Sequence, residues 1–102
     1  MPEWVDITAA ADLPPGQRVH RDIQGVAIFV VNIAGELLAV EDVCTHDGTP
    51  LDEGEIIGDE IICPRHGARF CLRTGKALCP PAYEPIATFP VRIAGGRIQI
   101  QI

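Results

Sequence analysis

Two short clusters constrain this chain more than anything else in it: Cys44-Thr45-His46 and Cys63-Pro64-Arg65-His66, separated by 16 residues. Each supplies one thiol and one imidazole. A glycine follows each histidine closely, Gly48 in the first cluster and Gly67 in the second. Any fold that uses these four side chains together must bring two loops to one place. The residue types read as a metal site.

The spacing bears on which metal. A structural zinc takes four ligands in a tetrahedron, often in knuckles spaced C-x₂₋₄-C or H-x₃₋₅-H. Cys63-x-x-His66 suits that pattern, but Cys44-x-His46 is tight for two ligands on one ion. Side chains two apart on an extended segment share a side yet sit roughly 6–7 Å apart. A two-iron cluster relaxes the demand, since each loop can give its cysteine to one iron and its histidine to the other. An iron–sulfur cluster with two cysteines on one iron and two histidines on the other matches the donor set. The glycines leave room for backbone N–H groups to approach the cluster sulfurs.

The surrounding pattern is short apolar runs broken by tight turns. Val26-Ala27-Ile28-Phe29-Val30-Val31 is rich in β-branched residues and reads as a strand buried on both faces. Ala34-Gly35 turns it back into Glu36-Leu37-Leu38-Ala39-Val40. Hairpins are also expected at Gly58-Asp59 and at Thr74-Gly75. After Gly95-Gly96, the run Arg97-Ile98-Gln99-Ile100-Gln101-Ile102 alternates strictly, with three isoleucines on one face. Thr8-Ala9-Ala10-Ala11-Asp12 is expected to form one helical turn before Pro14-Pro15. The fold class is all-β, with about nine short strands. Both clusters then lie in loops at strand ends, after Val43 and after Ile62.

At 102 residues the expectation is one domain, 1–102, with a small aliphatic core. The chain carries 14 acidic against 8 basic residues, a formal charge of −6. That sign disfavours nucleic acid and anionic membrane surfaces and suits docking to a basic patch on a protein. The start, Met1-Pro2-Glu3-Trp4, has neither the basic nor the apolar segment of a secretion signal, so a cytoplasmic location is expected. Thiols stay reduced there, so the four cysteines do not read first as disulfides.

The motif C-x-H, 16 residues, C-x-x-H-G resembles that of Rieske proteins. The run Cys63-Pro64-Arg65-His66-Gly67-Ala68-Arg69-Phe70, with Leu72-Arg73-Thr74-Gly75-Lys76, is similar to the soluble Rieske-type ferredoxins of bacterial multicomponent aromatic-ring dioxygenases. The likeness extends over essentially the whole chain. It implies a fold of three antiparallel sheets with the cluster loops at one tip. It also implies one [2Fe–2S] cluster, with Cys44 and Cys63 on the inner iron and His46 and His66 on the outer. The implied role is that of a carrier, not an enzyme. It would pass single electrons from an NADH-dependent flavin reductase to a terminal oxygenase in aromatic hydrocarbon catabolism. Pro80-Pro81-Ala82 resembles the family's proline loop, which covers the cluster.

Two other readings compete. One is the Rieske-like small subunit of a nitrite reductase, although those components often lack the ligands that are all present here. The other is a zinc-stabilised interaction module. Among the remaining residues, His20 reads as a surface side chain and Cys71 and Cys79 as free, small hydrophobes. The acidic run Asp52-Glu53-Gly54-Glu55, with Asp47, reads as either a docking surface or a solvated face.

High-potential Rieske proteins carry an additional cysteine in each loop, joined by a disulfide, where this chain has Thr49 and Arg65. They also carry a serine and a tyrosine, with hydroxyls that bond sulfur, where this chain has Ala68 and Phe70. Fewer donors to sulfur leave the reduced, more negative cluster less stabilised. The expected midpoint potential is near the low end of the Rieske range, about −150 mV. Protein-film voltammetry measures it, and a midpoint above zero would contradict this reading of the four positions.

Overall fold

The computed structural model describes residues 3–102, which form eleven strands and one 3₁₀ turn. The strands are β1 (Trp4–Ala9), β2 (Arg18–Ile23), β3 (Val26–Ile33), β4 (Glu36–Glu41), β5 (Glu55–Ile57), β6 (Glu60–Ile62), β7 (Arg69–Cys71), β8 (Ala77–Cys79), β9 (Thr88–Phe89), β10 (Val91–Ala94) and β11 (Arg97–Gln101). They build three antiparallel sheets, ordered β1-β11-β10, β2-β3-β4-β9 and β5-β6-β7-β8. The all-β, three-sheet expectation agrees with this architecture. The strand count rises from about nine to eleven. Thr8 and Ala9 belong to β1, and the helical turn is confined to Ala10–Asp12.

Strand β3 is the shared wall of the molecule. Its alternate side chains enter two separate cores, because successive residues point to opposite faces. Phe29 and Val31 join Val40, Cys44, Leu51, Ile61, Cys63, Phe70 and Leu72. Ile28 and Val30 join Ile7, Leu13, Ala39, Ile98 and Ile100. That is the physical reason for its uninterrupted apolar run. Strand β11 needs only alternation, since it buries one face: Ile98 and Ile100 are fully enclosed, and Ile102 packs beside them.

The third sheet is a meander of three-residue strands. It is too small to stand alone. Its stability comes from packing Ile61, Phe70 and Leu72 against Phe29, Val31 and Val40 of the second sheet. The two sites named in the sequence lie at its margin. One precedes β5 and the other joins β6 to β7.

The division into two cores predicts two kinds of damage. Phe70→Ala should cost about 3–5 kcal/mol and Ile98→Ala about 2–5 kcal/mol. Only the first loosens the core that encloses Cys44 and Cys63. Urea unfolding combined with the visible spectrum tests this: both variants lose stability, and only Phe70→Ala alters the absorption of the expected cluster at temperatures where the chain is folded.

Candidate metal centre

The two ligand loops share one backbone plan. In the first, the Cys44 N–H donates to the Thr49 carbonyl at 2.8 Å, and the Gly48 N–H donates back to the Cys44 carbonyl at 2.7 Å. In the second, the Cys63 N–H donates to the Ala68 carbonyl at 2.7 Å, and the Gly67 N–H donates to the Cys63 carbonyl at 3.1 Å. Each glycine stands four residues after its cysteine and adopts a positive φ, +79° for Gly48 and +75° for Gly67. A side chain there would be strained, which explains the two glycines. The loops differ in where the histidine falls: two residues after the first cysteine, three after the second.

This arrangement brings all four sequence-selected side chains together. Cys44 and Cys63 are buried and both are free thiols. His46 and His66 are exposed, with ring centroids 5.1 Å apart and planes at 78°. The donors sort into two pairs, the sulfurs inside and the ring nitrogens outside. The Asp47 carboxylate reaches both, lying within 4.8 Å of the two sulfurs and within 4.8 Å of a nitrogen on each imidazole. One tetrahedral ion would gather four donors about one point. Paired sulfurs below and paired nitrogens above fit a two-metal group, with thiolates on one metal and imidazoles on the other.

Burial pushes the Cys44 thiol pKa up, while the N–H groups of His46 and Asp47 pull against it; the neighbouring Cys63 adds to the rise. Those N–H groups are placed to donate to a sulfur that would become anionic on ligation. Ala68 and Phe70 are fully enclosed in the same core and present only carbon towards it. Thr49 contributes its carbonyl to the loop, and Arg65 is largely exposed. The Pro80-Pro81-Ala82 segment lies close by: Ala82 packs in the core of the two cysteines, and the Thr45 hydroxyl donates to the Glu84 carbonyl at 2.6 Å.

Two readings are refined. His20 is not simply a surface residue. Its Nδ1 lies 2.6 Å from Oδ2 of Asp42, a carboxylate with no exposed side-chain area, and its Nε2 lies 3.2 Å from Asp22. Asp52 is drawn inward beside Asp42, and burial and that neighbouring charge raise its pKa. Asp47 folds its carboxylate in against His66, Nδ1 to oxygen 3.2 Å, and only 19% of its side chain is exposed. Of the acidic residues at 47 and 52–55, read as either a docking surface or a solvated face, Glu53 and Glu55 stay exposed while the carboxylates of Asp47 and Asp52 turn inward. Cys71 and Cys79 are free, as expected, and half-buried. They are not cross-strand partners, since Arg69 faces Cys79 across a register shift. Asp42 itself drew no attention in the sequence, although it stands two residues before Cys44.

A family model described as "Rieske [2Fe-2S] domain" matches residues 3–90. Over 93 residues the chain is 43% identical to the 3-phenylpropionate/cinnamic acid dioxygenase ferredoxin subunit of Escherichia coli, covering 90% of this chain and 87% of that one. It is 35% identical over 100 residues to the ferredoxin component of the naphthalene 1,2-dioxygenase system of Pseudomonas aeruginosa, covering 98% and 96%. A chain from the complex of reduced oxygenase and oxidised ferredoxin in carbazole 1,9a-dioxygenase superposes with a TM-score of 0.89 at 32% identity, covering 96% and 92%.

The His20 environment sets a pH dependence. The Asp42 carboxylate raises the His20 pKa above its usual 6.5 against the opposing effect of burial, and Asp22 adds to the rise. A histidine raised in the folded state stabilises fully below the unfolded pKa, and that contribution is lost as pH climbs through the folded value. Unfolding of the native protein and His20→Gln, compared from pH 5 to 9, should show a gap widest below about pH 6.5. The gap should narrow at higher pH; a constant gap would rule out the charged pairing.

Proposed function

Because the chain belongs to the Rieske [2Fe–2S] domain family, we propose that it is the one-electron carrier of an aromatic-ring dioxygenase system. In this reading Cys44 and Cys63 hold the inner iron, His46 and His66 hold the outer iron, and residues 1–102 act as one cluster-carrying unit. The bound cluster supplies a centre that gains and loses one electron. The chain's own residues supply everything else.

The observation that carries the proposal is the sorting of donors by burial. Two thiols enclosed at 0% and 1% exposure shield the inner side from water. Two exposed imidazoles leave an edge open to a partner. Such an arrangement serves electron exit through the histidines. A carrier of electrons alone need never touch the oxygenase substrate. The enclosing core is apolar, and Ala68 and Phe70 give no hydroxyl to sulfur, which suits a potential at the low end of the Rieske range.

The partners in this proposal are a flavin- and NADH-dependent reductase upstream and a terminal ring-hydroxylating oxygenase downstream. The relatives named as ferredoxin subunits of dioxygenase systems support it, as does the likeness to a chain of the carbazole 1,9a-dioxygenase oxygenase–ferredoxin complex. The reaction would take place in the cytoplasm, where NADH is available. Among the described residues, no helix is long and apolar enough to cross a membrane. Formal charge −6 favours encounter with a basic patch around the partner's acceptor.

Metal analysis and reconstitution test the proposal. The purified protein should carry about two irons and two acid-labile sulfides. Cys44→Ser or His66→Ala should abolish the native rhombic spectrum. Aerobic turnover by reductase and oxygenase should need this protein, with a rate that falls as salt rises. One zinc and no sulfide, or full turnover without the protein, would overturn it.

A further inference from the structure

We propose that Asp42 and His20 are positioning residues for the cluster, together holding the first ligand loop in register with the second. The inference rests on the cluster reading above and concerns how the four ligands are kept in place.

The two loops are closed in different ways. The second joins β6 to β7, and its feet, Ile62 and Arg69, are direct partners in a β-ladder. Backbone pairing alone therefore fixes where Cys63 and His66 stand. The first leaves β4 in the second sheet and enters β5 in the third. No strand pairing can join its feet. The hydrogen bonds inside it, Cys44 to Thr49, Gly48 to Cys44 and the Thr49 N–H to Asp47, define its shape and not its position.

Asp42 supplies the missing closure. Its N–H extends the second sheet by donating to the Ala27 carbonyl at 2.8 Å. Its Oδ1 accepts from the Leu51 N–H at 2.6 Å and from the Asp52 N–H at 2.9 Å. One carboxylate thus joins the two feet of the loop across ten residues. Its other oxygen takes the imidazole N–H of His20 at 2.6 Å. His20 sits on β2, and Arg18, two residues earlier on the same face, donates to the carbonyls of Asp52 and Gly54 at 2.7 Å each. A single strand therefore grips the far foot directly through Arg18 and indirectly through His20 and Asp42.

The carboxylate is fully enclosed, so its bonds are not optional. Among the described residues, no buried side-chain polar atom lacks a partner. Removing a partner from a buried charge leaves it uncompensated and is strongly destabilising. The relief would come through movement of the loop, and with it Cys44 and His46. Residues that hydrogen-bond a metal ligand directly typically cost about 10–100-fold in affinity when changed, and one step removed the cost should lie towards the lower end.

The test compares purified holoproteins: native, His20→Ala, His20→Asn and Arg97→Ala. His20→Asn keeps an N–H where Nδ1 stood. Arg97→Ala breaks the exposed Arg97–Asp6 pair in the first sheet and serves as a general stability control. The readouts are iron and sulfide content, the g-values of the reduced cluster and the rate of bleaching by a chelator. His20→Ala should shift the g-values and bleach roughly 10-fold faster or more. His20→Asn should restore both towards native, and Arg97→Ala should move neither. A His20→Ala protein with native g-values and bleaching but a lower Tm overturns the proposal. Native protein without iron and sulfide overturns the cluster reading and the proposal with it. Hydrogen exchange on the native protein adds a check that needs no variant: the Leu51 and Asp52 amides should exchange as slowly as those of β3, and rapid exchange overturns the latch.

Discussion

Two thiols and two imidazoles meet from two loops, one crossing from the second sheet to the third and one lying within the third. Everything else in the molecule follows from that constraint. A hairpin can hold one pair of ligands, because its ladder closes on itself. The second pair must cross from the second sheet to the third, and the crossing must be as rigid as the hairpin. The solution is a buried carboxylate at the crossing, with β2 braced beneath it. Burying that charge is costly, and it is offset by three N–H donors, one of them on an imidazole that is itself held between two carboxylates.

The two cores divide the labour. One packs the first and second sheets together and contains no chemistry-bearing residue. The other packs the second and third sheets and contains both cysteines. Because β3 lines both, the three-residue strands around the ligands inherit the stiffness of the longer strands behind them. A charge such as Arg73 adds a tie at the rim, pairing with Glu36 of the second sheet and Asp59 of the third. These exposed pairs contribute little individually.

Much of this was legible in the chain. The isoleucine alternation of β11, the double-faced run of β3 and the turns at Ala34-Gly35, Gly58-Asp59 and Gly95-Gly96 all carry local signals that tertiary structure respects. The four side chains of the two clusters stood out for a different reason, because their spacing is chemically demanding. What escaped was β2. Arg18-Val19-His20-Arg21-Asp22-Ile23 is too polar to read as a strand, since Arg18 is spent on carbonyls more than thirty residues away and His20 on Asp42. Asp42 escaped for the same reason. A lone aspartate before a cysteine carries no signal until the chain folds and the amides of Leu51 and Asp52 arrive beside it. The acidic run at 52–55 left its reading open, because charge alone does not say which carboxylate turns inward.

The matched hydrogen bonds of the two ligand loops have a consequence for the speed of electron transfer. In each loop the cysteine commits its own N–H and carbonyl to the loop, so neither can swing towards a change of charge at the sulfur. The dipoles that meet the sulfur of Cys44, the amides of His46 and Asp47, are held by the same frame. When an electron arrives, little of the protein needs to move, as is general for dipoles set in advance of the charge they receive. A cradle of this kind lowers the reorganisation energy on both the incoming and the outgoing step. A carrier built on such a cradle would cross a small barrier on each step.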